Sequence, residues 1–233
     1  MGNAARLSAA ERKHAIVEAV RDVFAEKGFD GTTTRELAKA AGVSEALLYK
    51  HFPSKESLYT AMLDACAKGP TFAQFNRILA LKPSTSTLVL MVYFTISHYV
   101  LHRPGDPYKA ALNCLLVRSL LDDGALVRLT HKKFATAWIT KFEACLKQAL
   151  KLGDLRESPM RRNLRVWFVH HIAFSLMLHL RPKVPAIDYK VSKEELVEQA
   201  TWFALLGVGL REESIRRYYN PQALSLLGDY QSR

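Results

Sequence analysis

The chain has 233 residues, a length that allows one large domain or a small domain joined to a larger one. Hydrophobic residues make up 49% and charged residues 24%, as in ordinary globular proteins, so disordered and low-complexity classes are excluded. The formal net charge of +11 favours an anionic partner, which could be nucleic acid, acidic lipid or an anionic small molecule.

The cysteines and the most apolar stretches narrow the choice of compartment. The three cysteines, Cys66, Cys114 and Cys145, are an odd number at wide spacing, so neither a disulfide framework nor a zinc site is indicated. The N-terminus has no apolar core typical of a signal peptide, and the apolar stretches 88–101 and 166–180 are too short for a bilayer span. We therefore expect a cytoplasmic protein without a membrane partner, a metal or a cofactor.

Signals for helices begin at the N-terminus and continue along the chain, whereas hairpin and strand signals are scarce. In the first part, Ser8 with Glu11 and Thr33 with Glu36 form capping boxes, and each opens a helix. The predicted helices there cover residues 8–27, 33–41, 45–52 and 54–68.

Longer helices are predicted beyond the first composition boundary, which we place between residues 68 and 69. They cover residues 84–102, 106–121, 122–152, 158–180, 192–210 and 213–219. The prediction is thus an all-α fold with two domains, 1–68 and 69–233.

The second and third helices flank a tight turn centred on Gly42 and Val43, which is typical of a helix-turn-helix. In that motif the second helix of the pair lies in the major groove of DNA. Ser44 and Thr33 stand at helix N-termini, where free N–H groups and the helix dipole favour an anion such as a phosphate. Ser54 and Lys55 offer a third such terminus with its own cation.

The residues from Gly31 to Leu58, with Thr33, Leu37-Ala38, Ala41-Gly42-Val43-Ser44 and Leu48-Tyr49 in fixed order, resemble the N-terminal domain of TetR-type transcriptional regulators. The resemblance spans roughly residues 12–62. It implies a three-helix helix-turn-helix domain that binds operator DNA as half of a homodimer, joined to a larger helical ligand-binding and dimerisation domain.

The resemblance also assigns roles to single positions. Thr33 and Ser44 match the residues that cap the second and recognition helices against phosphate, and Tyr49 matches the aromatic whose hydroxyl meets the DNA backbone. Phosphate-facing or groove-edge positions fall on Lys50, His51 and Lys55. Contacts of this kind fix the register of the protein on DNA without reading its sequence.

Base reading would fall to Arg35 for guanine, Glu45 for cytosine and Ala46 for a thymine methyl. Glu45-Ala46 departs from the family's usual pair, a cation or small polar residue followed by glycine. Glu45 could instead lie in solvent or repel phosphate, and Thr34 could cap a helix or contact DNA. His51 could contact phosphate or pack beside the neighbouring Phe52.

The second domain has the layout of the family but no motif that aligns. Two long helices carry apolar residues at helical spacing and predict a four-helix dimer interface or, alternatively, an intramolecular core. The predicted interface residues are Phe168, His171, Leu178, Ala200, Phe203, Ala204 and Gly207. An effector pocket is predicted from an aromatic set that could also be plain core: Phe94, His98, Trp138, Phe142 and Trp167.

Enzyme motifs are absent from the sequence, with no GxSxG, HExxH, P-loop or strand-linked GxGxxG, so we predict no catalytic residue. The predicted function is a sequence-specific DNA-binding regulator, a repressor released from its operator by a small molecule that is apolar or anionic. The alternative is a helical small-molecule or acyl-group binding protein that lacks operator binding.

The basic charge lies mostly outside the predicted DNA-binding domain. Residues 1–68 hold 10 Lys and Arg against 9 Asp and Glu, which leaves 23 against 13 for residues 69–233. Residues 128–165 alone hold ten basic residues and three acids. This excess is either a solvated face or an attraction for an anionic effector, and we single out Lys147, Lys151, Arg161 and Arg162.

Overall fold

The computed structural model describes residues 8–66, 70–101 and 107–224. In these ranges the regular structure is helical, and the single β-type pairing is an isolated bridge between Leu155 and Leu210. The helices are α1 (Ala9–Lys27), α2 (Thr34–Ala40), α3 (Glu45–His51), α4 (Lys55–Cys66), α5 (Pro70–Ala80), α6 (Thr85–Val100), α7 (Pro107–Leu121), α8 (Ala125–Lys151), α9 (Arg162–Leu180), α10 (Lys193–Gly207) and α11 (Glu212–Tyr218). The all-α prediction is confirmed. None of the described helices is both long enough and apolar enough to cross a membrane.

Capping residues explain where several of these helices begin. Ser8, Thr33, Ser44, Ser84 and Ser192 each accept a hydrogen bond from a backbone N–H in the first turn of the helix that follows. Because these donors have no partner within the helix, a side-chain oxygen stabilises each start. These five caps are confirmed, whereas the predicted helix start at Ser158 is wrong, because α9 begins at Arg162 without a side-chain cap.

The structure has one helix that the sequence analysis does not predict, α5, and it begins at Pro70. Proline ends a helix when it lies inside one, but it is well suited to the first helical position, where no N–H bond is needed. Helix α9 also begins later than predicted, at Arg162, because residues 156–161 form a loop after the Leu155–Leu210 bridge. The predicted helix boundaries at residues 68, 102 and 106 lie outside the described residues.

Residues 1–73 and 105–133 form one compact unit, and residues 74–104 and 134–233 form another. The first unit therefore includes α7 and the start of α8, which the predicted boundary at residues 68 and 69 assigns to the second domain. That boundary itself lies outside the described residues and stays a proposal.

The core of the first unit forms where α1 packs against α2, α4 and α7. An aromatic cluster lies at its centre, with the Phe24 and Tyr59 rings edge to face at 5.5 Å and Phe29 against both. Burying such rings is a large apolar contribution to stability, and the edge-to-face geometry adds to it. This core holds α2 and α3 in place.

The core of the second unit is built around α6, which packs against α9, α10 and α11 and is buried along most of its length. The buried carboxylate of Asp154 links three parts of this core. It accepts hydrogen bonds from Thr85 Oγ1 at 2.6 Å and Ser214 Oγ at 2.7 Å, while its backbone carbonyl accepts from the Arg211 N–H. Because its oxygens are satisfied, this carboxylate can stay buried and fix the loop after α8.

Candidate nucleic-acid interface

Helices α2 and α3 are joined by a turn whose shape depends on Gly42. The backbone of Gly42 has φ of +64°, in the left-handed region, and the Val43 N–H donates to the Ala38 carbonyl at 3.0 Å. Ser44 then caps α3 by accepting from the Leu47 N–H at 3.2 Å. The predicted helix-turn-helix geometry is present.

One side of this motif is buried and the other is open. Leu37, Ala38, Leu48 and Phe52 pack into the core of the first unit. The opposite side carries most of the predicted DNA contacts as exposed side chains: Thr33, Arg35, Ser44, Glu45, Ala46, Tyr49 and Lys50. An exposed tyrosine, Tyr49 at 46%, followed in the chain by the exposed cation Lys50, is an arrangement that suits a nucleic-acid backbone.

A hydrogen bond between side chains ties the two helices together on the open side. Thr34 Oγ1 donates to Glu45 Oε2 at 3.1 Å, and Thr34 is half-buried. The sequence offers both Thr34 and Glu45 as DNA contacts but not their pairing, because the two residues are eleven positions apart. Glu45 retains its second carboxylate oxygen for a base or a water.

The ammonium group of Lys55 is bound to the loop before α2. Its Nζ donates to the carbonyls of Phe29 at 2.6 Å and Thr32 at 3.0 Å, and it lies 4.4 Å from the centre of the Phe29 ring. Thr32 is also buried and donates through Oγ1 to the Gly28 carbonyl at 2.6 Å. Lys55 thus has a structural role that the sequence does not reveal, and one of its three N–H donors remains for a phosphate.

Glu36 completes the network at the start of α2. Its carboxylate accepts from Lys27 Nζ at 2.5 Å and from the Thr33 backbone N–H and hydroxyl, both at 2.9 Å. The hydrogen bond from Lys27, followed by those from Thr33, lowers the pKa of Glu36 from 4.5 to about 2. The capping box is therefore anchored to the end of α1.

The predicted pocket residues lie in or against the core of the second unit. Phe94 and Trp138 are buried with ring centres 5.6 Å apart, Phe142 is fully buried, and His98 stacks on Phe94. Trp167, half-buried on α9, has ring contacts with the two histidines that follow it. The rings of Phe94, His98 and Trp138 thus form a chain of contacts between α6 and α8, and Phe142 belongs to the same core.

The predicted dimer residues separate into two groups. Phe168, His171, Leu178, Phe203 and Gly207 are exposed on α9 and α10, with Phe203 67% exposed. Ala200 and Ala204 are buried inside the same chain, where their small side chains pack into the core of the second unit. A second copy would therefore meet Phe168, His171, Leu178, Phe203 and Gly207, whereas Ala200 and Ala204 would stay covered by their own chain.

Two comparisons with known proteins decide the family. The family model described as bacterial regulatory proteins of the tetR family matches residues 16–62, which include α2 and α3. The nucleoid occlusion factor SlmA of Haemophilus ducreyi is 31% identical over 168 residues, which are 72% of this chain and 78% of that protein. The chain belongs to the TetR family.

Members of the TetR family that resemble this chain include further regulators. The biofilm operon negative transcriptional regulator IcaR of Staphylococcus aureus is 35% identical over 74 residues, which are 32% of this chain and 37% of that protein. The structure of AibR in complex with isovaleryl coenzyme A and operator DNA has the same fold, with a TM-score of 0.60 and 19% identity, covering 83% of this chain and 97% of that one. This TetR-family chain is a DNA-binding transcriptional regulator.

Proposed function

We propose that this regulator is a repressor that binds operator DNA through the open side of α2 and α3. The observation that carries the proposal is the exposed row of Arg35, Tyr49 and Lys50 on a motif whose other side is fixed in the core. Tyr49 and Lys50 would contact phosphate, together with the caps Thr33 and Ser44 and the half-buried His51 and Lys55. IcaR, a negative regulator by name, supports the direction of control.

Reading of bases is assigned to Arg35, Glu45 and Ala46. An arginine can donate two hydrogen bonds to guanine, a carboxylate can accept from cytosine, and an alanine methyl can contact thymine. The bond from Thr34 holds one oxygen of Glu45, which limits the rotamers from which the other oxygen can reach a base. The open side of the motif thus combines backbone contacts with base contacts.

We place the active form as a homodimer joined through the exposed side of α9 and α10. Phe168, Leu178 and Phe203 would lose their solvent contact there, which is the usual source of stability in obligate dimers. Two-fold symmetry would present one recognition helix to each half of an inverted-repeat operator. In bacteria this would take place in the cytoplasm, and no catalytic step is assigned.

A small-molecule effector would release the repressor from DNA. The comparison that supports an effector is AibR, whose structure holds isovaleryl coenzyme A together with operator DNA. Phe94, His98, Trp138, Phe142 and Trp167 remain the proposed lining for an apolar part of such a ligand. An effector changes the affinity for DNA only if it binds the two states of the protein unequally.

Selection from a pool of random duplexes tests the proposal. We expect wild-type protein to enrich an inverted repeat, and Arg35→Ala to relax preference at one base step per half-site by about 1 to 3 kcal/mol. A uniform loss of affinity for all sequences would make Arg35 a backbone contact. Failure of the wild type to enrich any sequence would favour the alternative, a small-molecule binding protein without operator binding.

A further inference from the structure

A basic cleft of about 880 Å³ lies in the second unit, between the end of α8, the following loop and the start of α9. Five cations line it: Lys147, Arg156, Arg161, Arg162 and Arg165. Two carboxylates, Glu143 and Glu157, line it as well. Lys151 lies in an adjacent depression of about 290 Å³ that shares Lys147 and Arg162 with the cleft.

None of these five cations forms an ion pair with a carboxylate within residues 8–66, 70–101 and 107–224. Cations that are close together repel one another, and this repulsion is relieved when an anion binds among them. Here the fold brings cations from α8, the loop and α9 to one concave surface.

Arg165 distinguishes this cleft from ordinary surface charge. Its side chain is only 4% exposed, and its two terminal nitrogens donate to the carbonyls of Val208 at 2.7 Å and Met160 at 3.2 Å. Its Nε–H has no hydrogen-bond partner among the described residues. A buried guanidinium with an unused donor and no counter-ion is costly, so a bound anion nearby would stabilise it.

The start of α9 adds donors of its own to the cleft. The residue before the helix is Arg161, and no side chain caps the first turn. The N–H of Leu164 donates to the Arg161 carbonyl at 3.1 Å, whereas the first two N–H groups of α9, on Arg162 and Asn163, have no acceptor within the helix. Both residues line the cleft, which therefore lies at the positive end of the helix dipole. Backbone donors, a buried arginine and exposed cations together suit the several oxygens of a phosphate.

We propose that this cleft binds the phosphate or diphosphate group of a small soluble ligand. Such a group presents several acceptor oxygens and two or more negative charges, which matches the excess of cations over carboxylates in the cleft. The ligand's effect on operator affinity rests on the proposed function, whereas its binding does not. The rest of the ligand would lie in the proposed effector pocket or in solvent.

The probe is inorganic pyrophosphate, titrated calorimetrically into the full chain at constant ionic strength without magnesium, with orthophosphate in a parallel arm. We expect saturable binding of one pyrophosphate per chain. Arg161→Gln/Arg162→Gln should weaken it at least about tenfold, the equivalent of one lost charge-assisted hydrogen bond. Lys183→Gln/Lys193→Gln removes two exposed cations of the same unit outside the cleft and should stay within about twofold of wild type.

Three results would overturn the proposal. The first is no saturable binding by wild type, and the second is equal weakening in both double variants. The third is a loss of DNA affinity in Arg161→Gln/Arg162→Gln with no loss for pyrophosphate, which would assign the cleft to the DNA backbone. Operator affinity of wild type, measured without pyrophosphate, separates failure of this inference from failure of the proposed function.

Discussion

The ammonium group of Lys55 illustrates how one residue can have a role that its sequence context hides. The motif suggests a phosphate contact, yet the side chain donates to two backbone carbonyls of the loop that leads into α2. A charged donor bound to two carbonyls in a half-buried position fixes those carbonyls and removes the cost of leaving them unpaired. The position of α2 therefore depends on Lys55 whether or not DNA is bound.

Lys55→Met should lower the free energy of unfolding by about 1 to 3 kcal/mol, because both carbonyls lose their donor while the apolar stem is kept. Lys50→Met is the matched control, since Lys50 is exposed, and its stability should stay within about 0.5 kcal/mol of wild type. Chemical denaturation of both variants measures this. Equal stability of wild type and Lys55→Met would show that the two carbonyl bonds contribute nothing.

The stability of the folded protein should depend on pH through the carboxyl group of Glu36. Its pKa is lowered from 4.5 to about 2, first by Lys27 and then by Thr33, so the folded state favours the ionised carboxylate. The stabilisation is complete above about pH 4.5 and is lost as the pH falls toward about 2. The difference in melting temperature between wild type and Glu36→Gln should therefore be constant from pH 7 to pH 5 and shrink below pH 4.5. A difference that does not change with pH would contradict the assignment.

The turn between α2 and α3 contains a left-handed backbone position, and the free energy that a residue other than glycine would lose there can be measured directly. Gly42 has φ of +64°, and a Cβ added there would meet nothing within 4 Å. Gly42→Ala should therefore destabilise the protein by about 1 to 2 kcal/mol through backbone strain alone. Gly42→Asn should cost less, because asparagine tolerates the left-handed conformation. If urea denaturation found Gly42→Asn less stable than Gly42→Ala, backbone strain could not be the cause of the destabilisation.

Helix starts could be predicted from the sequence because a cap is a local interaction. Ser8, Thr33 and Ser44 act on N–H groups three positions away, so the pattern of residues contains the whole interaction. The sequence does not predict helix α5, because Pro70 fits both the end of one helix and the start of another, and only the surrounding structure decides between them. The later start of α9 depends on pairing with Leu210, far along the chain.

In the candidate site too, the sequence predicts the features that depend on local spacing and not those that depend on contacts between distant residues. The open side of α2 and α3 could be predicted, since helical spacing alone separates Leu37 and Leu48 from Arg35 and Tyr49. The bond from Thr34 to Glu45 and the bonds of Lys55 could not, because they join residues 11, 23 and 26 positions apart. Arg165 is one of the ten basic residues of 128–165, and its burial could not be predicted because it depends on the carbonyl of Val208, 43 positions away.

Dimerisation is a property of the whole molecule, and substitutions at two exposed positions of the second unit can test the proposed interface. Phe203 and Leu152 are 67% and 65% exposed, but only Phe203 lies on the proposed interface. Phe203→Lys should raise the dimer dissociation constant at least about 30-fold, since a central aromatic is worth about 2 kcal/mol and a buried lysine adds a desolvation cost. Sedimentation equilibrium should find Leu152→Lys as dimeric as wild type. A Phe203→Lys variant that stays fully dimeric would place the interface elsewhere.

The charge is distributed unevenly over the whole chain, between the proposed DNA interface and the proposed phosphate-binding cleft. Residues 1–68 are nearly neutral, with 10 basic and 9 acidic residues, so the proposed DNA binding would depend on a few individual cations and not on a basic surface. The surplus lies in residues 69–233, and its densest part lines the cleft between α8 and α9. Residues 69–233 thus carry +10 of the net charge of +11, and the five cations and two carboxylates of the cleft account for +3 of it.

The central claim is that the open side of α2 and α3 binds operator DNA. Its most direct test is to measure how the affinity for the selected operator duplex depends on salt concentration, for wild type, Lys50→Met and the control Lys183→Met. Lys50 would neutralise one phosphate per protomer, so a dimer of the variant should bind more weakly, with a slope of log affinity against log salt shallower by about 2. The control should keep the wild-type slope. An affinity and a slope that are the same in all three proteins would contradict DNA binding through the open side of α2 and α3.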